Sequence, residues 1–376
     1  MAETSAITEN QEQILPQSVR GTLQLRWPFG RTLGLGLCFL VVFALLGEWV
    51  AETNAFRTFF THQTWDSSHV AFERQLARLD LLYQQEGKIE CIFLGNSMVW
   101  RGFDPQAFQA GYRSQTGADL PCFDFGVDGM PASNAGALAQ VLVEDYHPRL
   151  LIYGVDARDY AVPADSKDAK VLAEMDWLKY RLGQFSLKGW LIEHSELYRY
   201  RFALQRLLRF DYQHTIRDGS YTNLLGRYGF DFDERAGDVA TPPRRDDPRG
   251  PVQYYFGLLS GYQMLPENIY GLEQVLEQDD EVEELVVVEL PVAATYMEFF
   301  GNGVADYQTY LERVKKMTLE EDGYFVESMS WGVIPADGWV DYSHLNRVGA
   351  AAFSRALGEK IGAAKLAGQL GRFSSR

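Results

Sequence analysis

The stretch ECIFLGNSMVWRGFDP, Glu90 to Pro105, runs an apolar strand into a Gly-Asn-Ser turn and then into the start of a helix. Cys91-Ile92-Phe93-Leu94 is apolar at every position, as in a strand buried on both faces of a parallel sheet. Asp104-Pro105 sets an N-cap before a proline at the first helical position, which predicts a helix to about Arg113. Between strand and helix stands Ser97. A small hydroxyl at the end of a buried strand is either a turn residue or a nucleophile mounted on a sheet edge, and the rest of the chain has to decide.

The same alternation extends on both sides. Upstream, SSHVAFERQLARLDLLYQQEG (Ser67 to Gly87) has helical periodicity, with Val70, Phe72, Leu76, Leu79, Leu81 and Leu82 on one broad face and Gly87 as its stop. Downstream, LPCFDFGVDG (Leu120 to Gly129) reads as a second strand, Ala132 to Leu142 as a helix, and RLLIYGVDARDY (Arg149 to Tyr160) as a third strand with a loop at its end. Beyond a break, a helix is predicted over about Glu267–Glu277, a strand over Glu284–Pro291, a helix over about Asp306–Glu320 and a short strand around Tyr324–Glu327. A last helix from about Arg347 places Val348, Ala352, Phe353, Leu357 and Ile361 along one stripe. No internal repeat is visible. Doubly apolar strands alternating with helices predict an α/β fold, a parallel sheet with helices on both faces.

From Ala161 to about Leu265 the rhythm fails. HSELYRYRFALQRLLRFDYQH (His194 to His214) is basic, aromatic and helical in period, and FDERAGDVATPPRRDDPRGP (Phe230 to Pro251) is irregular. The region reads as an insertion over the functional edge of the sheet. Its aromatics and arginines fit either the packed underside of a lid or a platform that stacks on sugar rings.

The formal charge of −16 over 376 residues argues against a nucleic-acid binder, since phosphate contacts need clustered Lys and Arg. One segment sets the address. Thr32 to Val50, TLGLGLCFLVVFALLGEWV, is apolar apart from Glu48, and as a helix it spans about 28 Å, close to the hydrocarbon thickness of a bilayer. Arg20, Arg26 and Arg31 precede it, while Glu48 and Glu52 follow, so the positive-inside rule puts the N-terminus in the cytoplasm and the rest outside. A cleaved signal peptide would have an unusually long n-region and shows no clear small-x-small cleavage site. A buried core helix is the weakest alternative. The expected organisation is a cytosolic tail (1–31), a signal anchor (32–51), a domain over 67–365 with its insertion at about 161–265, and a flexible tail (366–376).

Strand ends of a parallel sheet carry the chemistry. Three of them hold small or polar residues here: Gly95-Asn96-Ser97, Gly126-Val127-Asp128-Gly129 and Gly154-Val155-Asp156. Near the C-terminus comes Asp341-Tyr342-Ser343-His344. An Asp three residues before a His can orient the imidazole, which can then take a proton from a serine brought close by the fold. His62, His69, His147, His194 and His214 lack partners at catalytic or metal spacing. Asp128 and Asn134 fit turn chemistry, with substrate contact as the alternative. Cys91 and Cys122 each open an apolar strand; if a parallel sheet makes those starts neighbours they can form a disulfide, and otherwise they are two buried thiols; no metal spacing is present.

At these residues the chain resembles the SGNH (GDSL-like) hydrolases: a strand followed by Gly-Asn-Ser97, the Gly129 turn, and Asp341-x-x-His344-Leu345 before the last helix. More narrowly, GNSMVWRGFDP, YGVDARDY and DYSHLNRVGAAAF resemble the membrane-anchored, extracytoplasmic SGNH proteins, some of which work with membrane-bound O-acyltransferases on cell-wall or exported polysaccharides. The resemblance covers about Ile89–Tyr160 and Glu284–Ile361. It implies a three-layer α/β/α, flavodoxin-like domain with Ser97 as nucleophile, His344 as general base and Asp341 as its orienter. It also implies an oxyanion hole from the N–H groups of Ser97 and Gly129. Two positions depart from the pattern. Asn96 replaces the usual Asp before the serine. Asp156 stands where an Asn would give the third oxyanion donor, and an ionised carboxylate cannot donate; Arg158 is the alternative source of positive charge. The resemblance implies no cofactor and an acylated glycan or acyl donor as substrate, with a membrane-bound O-acyltransferase as partner. A non-catalytic partner of such an acyltransferase or export complex, and a carbohydrate-binding surface protein, are the readings from other classes.

Overall fold

Strands β1 (Cys91–Gly95), β2 (Cys122–Gly126), β3 (Leu150–Val155), β4 (Glu284–Glu289) and β5 (Tyr324–Val326) form one parallel sheet in the order β2-β1-β3-β4-β5. This is the computed structural model of the chain, and it describes residues 29–60, 69–208 and 226–370. Strands β1 to β4 are buried along their whole length, which is why they are mainly apolar on both faces; Asp124 in β2 and Glu284 and Glu289 at the ends of β4 are buried carboxylates.

Before the sheet come α1 (Phe29–Ala51), α2 (Asn54–Phe60) and α3 (Val70–Glu86). Helices α4 (Ser97–Gly102) and α5 (Pro105–Thr116) join β1 to β2, and α6 (Ala132–Tyr146) joins β2 to β3. Asp104 caps α5 by accepting from Gln106 N (2.9 Å) and Ala107 N (3.2 Å), as its place before Pro105 predicts. After β3 follow α7 (Ala157–Ala161), α8 (Lys167–Ala173), α9 (Asp176–Arg181), α10 (Leu187–His194), α11 (Glu196–Arg199) and α12 (Arg201–Leu208). Helices α13 (Gly250–Leu259) and α14 (Pro266–Leu276) lead into β4, α15 (Val304–Glu320) leads into β5, and α16 (Arg347–Leu366) closes the fold. On one face of the sheet Phe93 stacks on Phe103 at 4.7 Å and meets Phe108 edge-on at 5.0 Å, and Phe103 meets Phe353 of α16 at 5.4 Å. Helices α6 and α14 pair on the other face.

Helix α1 is long and apolar enough to cross a membrane: Gly30–Ala51 has a mean hydropathy of 2.2, and its residues 30–46 are exposed. Through Gly47 it forms one unit, and Glu48 onward forms the other. Residues 1–28, with Arg20 and Arg26, lie outside the described residues, as do His62, His214 and the end of the basic aromatic stretch. At the other terminus the chain stays packed beyond α16, because Leu370 is buried. Of the expected flexible tail (366–376), residues 371–376 lie outside the described ones.

The insertion does not all lie over the functional edge. Its first half packs beside α2 and α3: Arg199 reaches Asp80 (3.2 Å), Arg57 reaches Glu196 (3.1 Å), and Tyr200 meets Phe56 edge-on at 5.7 Å. Tyr200 is buried and offers no ring to a sugar. The charges decide this placement, since Arg199 and Glu196 find their counterions there. The second half, from about Asp231, approaches the strand ends, and α8 of the first half comes close to the Gly129 turn through Asp168. Cys91 and Cys122 are register partners in β1 and β2, and both are buried free thiols; burial pushes the Cys122 thiol up.

Three strand-end glycines make room for α4. A Cβ on Gly95 would meet Val99 Cγ2 at 2.3 Å, one on Gly154 the same atom at 2.5 Å, and one on Gly126 the Trp100 backbone N at 2.1 Å. The helix that begins at Ser97 thus lies directly on the ends of β1, β2 and β3. Gly126→Ala pushes a methyl group against backbone that cannot yield, so it is expected to cost about 1–3 kcal/mol in urea unfolding. Gly250→Ala, where a Cβ meets nothing within 4 Å, is the neutral comparison.

Candidate active site

Asn96 ends β1 and starts α4. Its Oδ1 accepts from Met98 N (2.6 Å), the geometry of an N-cap, while its Nδ2 donates to Asp159 Oδ2 (2.5 Å). Ser97 is therefore the first residue of a short helix that follows directly on the strand. The sheet order reverses at β1, with β2 on one side and β3 on the other, and open α/β sheets bind ligands at such a switch point.

The loop before α16 brings the other residues to it. Trp339 and Leu345 pair as an antiparallel bridge, and Val340 N donates to His344 O (2.8 Å), so the loop closes on itself. Asn346 then caps α16, accepting from Val348 N (3.0 Å) and Gly349 N (3.2 Å). Within the loop Asp341 Oδ1 accepts from Ser343 N (3.0 Å) and His344 N (2.9 Å), which turns the carboxylate toward the ring. His344 Nδ1 lies 2.9 Å from Asp341 Oδ2, and His344 Nε2 lies 2.8 Å from Ser97 Oγ. With Asp341 as acceptor, Nδ1 carries the proton and Nε2 is free to accept from the serine hydroxyl. Burial works against the Asp341 charge, but the His344 imidazole and the two backbone N–H groups overcome it and hold this carboxyl well below the usual range. The three residues singled out from sequence are in one hydrogen-bonded chain.

Gly129 occupies a left-handed turn (φ 71°) at the end of β2, a conformation that favours glycine. Among the described residues, no acceptor engages its N–H or that of Ser97. His69 holds this turn: Nδ1 accepts from Phe72 N (3.2 Å) as the cap of α3, leaving Nε2–H to donate to Asp128 O (3.0 Å). Sequence reading gives His69 no partner at catalytic or metal spacing, and the partner that the fold supplies is a backbone carbonyl far along the chain. Asn134 donates to Ala169 O (3.0 Å), a structural bond within the fold.

Asp156 and Arg158 are both buried. The Tyr296 hydroxyl donates toward both Asp156 oxygens (3.3 and 3.4 Å), and Arg158 Nε lies 3.7 Å from Oδ2. Burial pushes the Asp156 carboxyl up despite these partners. Arg158 also reaches Asp159 Oδ1 (3.4 Å) and the Tyr255 hydroxyl (3.3 Å). Tyr255 in turn shares a 2.6 Å hydrogen bond with Ser343, the neighbour of His344. Tyr255 comes from the insertion, and nothing in the sequence marks it. Neither the cap that Asn96 makes nor its tie to Asp159 is marked in the sequence. Among the described residues, no group of three or more His, Cys, Asp or Glu side chains is placed to hold a metal ion.

Burial pushes the Asp159 carboxyl up to about 7, against the pull of Arg158. The folded protein thus holds this proton more tightly than the unfolded chain does. The associated stability is complete below about pH 4 and is lost as pH rises through 7. Asp341 acts in the opposite sense, its contribution fading as pH falls below about 4. Asp159→Asn is expected to make the decline between pH 5 and about 7.5 shallower, as read from urea midpoints across that range.

No protein-family model matches the chain, and no curated protein matches it. Among solved structures, a gut microbial diltiazem-metabolizing enzyme aligns with 73% of this chain and 47% of its own, at 11% identity and a TM-score of 0.34. This chain therefore spans about half the length of that protein. A carbohydrate acetylesterase family member from Sinorhizobium meliloti aligns with 72% of this chain and 96% of its own, at 14% identity and a TM-score of 0.30.

Proposed function

We propose that this chain is a membrane-anchored serine esterase or O-acyltransferase of the SGNH type. In this reading α1 crosses the membrane and the domain works outside on acyl esters of cell-surface or exported glycans. The observation that carries the chemistry is the Ser97–His344–Asp341 chain at the sheet's switch point. The glycan and the outward orientation rest on the sequence resemblance and on the basic residues before α1.

Ser97 Oγ attacks the ester carbonyl while its proton passes to His344 Nε2. Negative charge gathers on the carbonyl oxygen, where the N–H groups of Ser97 and Gly129 donate to it. The ester bond then breaks, and His344 gives its proton to the departing alkoxide, leaving an acyl-Ser97. In the second half His344 deprotonates a water or a sugar hydroxyl, which attacks the acyl group and frees the serine. Water yields the acid and a sugar hydroxyl yields a new ester; the first half is common to both. Asp341 stays ionised throughout and steadies the imidazolium.

The full-length protein in detergent is expected to take up a serine-directed fluorophosphonate at Ser97, with labelling abolished by Ser97→Ala and by His344→Ala. Asp341→Asn is expected to slow labelling by up to about 10⁴-fold, the scale seen when this carboxylate is amidated in other triads. A folded protein that never labels would favour the second reading, a non-catalytic partner of an acyltransferase. That reading has one observation behind it, the carboxylate of Asp156 where an amide donor is expected.

Asp156→Asn tests that position directly. It replaces an acceptor with a donor, so labelling is expected to speed up, by at most about 100-fold for one added oxyanion donor. An unchanged rate would place residue 156 outside the oxyanion hole.

A further inference from the structure

Helix α10 carries an exposed apolar stripe that the proposed chemistry does not use. Ser186 caps the helix by accepting from Gly189 N (3.0 Å), and Gly189 and Ile192 turn inward. A Cβ on Gly189 would meet Asp176 O at 2.1 Å, so this side is pressed against α9. At helical spacing Leu187, Trp190 and His194 then share the outer side. Leu187 is 61% exposed and Trp190 43%, and Phe185 in the turn before them is 90% exposed. Scattered exposed apolar residues are ordinary; a contiguous group rich in aromatics marks a contact surface.

The residues that follow the stripe indicate what covers it. The Glu48 carboxylate accepts from Ser195 Oγ (3.0 Å), Leu197 N (3.4 Å) and Glu196 N, so it rests on the first turn of α11. Glu48 belongs to the last turn of α1, the helix that is long and apolar enough to cross a membrane. Trp49 and Val50 beside it are exposed, while Ala51 is buried in the domain. The salt bridge of Arg57 with Glu196 tightens the same junction. Chain that leaves a bilayer at Glu48 therefore holds the end of α10 close to the lipid surface.

We infer that Phe185, Leu187 and Trp190, continued by Trp49 and Val50, form a face that seats in the interfacial layer of the bilayer that α1 crosses. Tryptophan and phenylalanine suit that layer, where an apolar ring lies among headgroups. The inference rests on the reading of α1 as a membrane span. Arg181 binds Asp145, and Arg199 binds Asp80, tying the helices beside this face to α6 and α3.

The test uses the full chain with Cys38→Ser, reconstituted in phosphatidylcholine vesicles containing some phosphatidylglycerol. Leu187→Cys carries an environment-sensitive nitrobenzoxadiazole label, and Tyr270→Cys, exposed on α14, carries it as the comparison. At residue 187 the label is expected to shift to the blue and to be quenched several-fold more by a shallow spin-labelled lipid than by aqueous iodide; at residue 270 the order reverses. Retention of the protein on alkaline carbonate extraction, with a label at 187 that iodide quenches as freely as at 270, would overturn the inference alone. Release by carbonate would overturn the inference together with the anchor. Fluorophosphonate labelling of Ser97 in the same vesicles reads the esterase proposal independently of both.

Discussion

The hydrogen bond between Ser97 Oγ and His344 Nε2 joins residues 247 positions apart, and most of the architecture serves to hold that contact at 2.8 Å. On the serine side the constraint is steric. Gly95, Gly126 and Gly154 remove every Cβ that would lift α4 off the strand ends, so the first turn of that helix is fixed against sheet backbone. Asn96 adds a polar restraint, capping α4 with one end of its amide and binding Asp159 with the other. A serine held in this way loses little further freedom when it attacks, which is the advantage of mounting a nucleophile on a rigid element.

The histidine side is built differently. Its loop buries Trp339, Tyr342 and Leu345 and is held as well by hydrogen bonds from distant parts of the chain. Glu289 at the end of β4 accepts from Ser328 N (2.8 Å) and Met329 N (3.1 Å), anchoring the start of the segment that leads to the loop. Gly237 N donates to Trp339 O (2.8 Å), Arg347 N donates to Asp233 O (2.8 Å), and Tyr255 binds Ser343. The second half of the insertion is thus a brace for the Asp341–His344 turn. Below it, Asp156, Arg158 and Asp159 form a buried ionic group whose charges balance only in part, and such a group is costly unless its geometry is kept.

The first half of the insertion has a separate role in the fold. Its charged residues pair with α2 and α3, and its α11 terminus receives Glu48 from the end of α1.

The sequence by itself determined the α/β alternation, because doubly apolar strands and one-sided helices leave opposite periodicities in the chain. It also determined that Ser97 ends a buried strand, that Asp341 and His344 sit three residues apart, and that one segment can span a bilayer. These are local properties, set by neighbours within a turn or a strand. Only the tertiary structure decided that Ser97 and His344 touch, that Asn96 holds Asp159, that His69 pins the Gly129 turn and that Tyr255 reaches Ser343. Each of those bonds spans dozens to hundreds of residues and uses ordinary polar groups. Periodicity reports that a side chain points inward, but which partner it meets there depends on how the layers pack and how the insertion is routed.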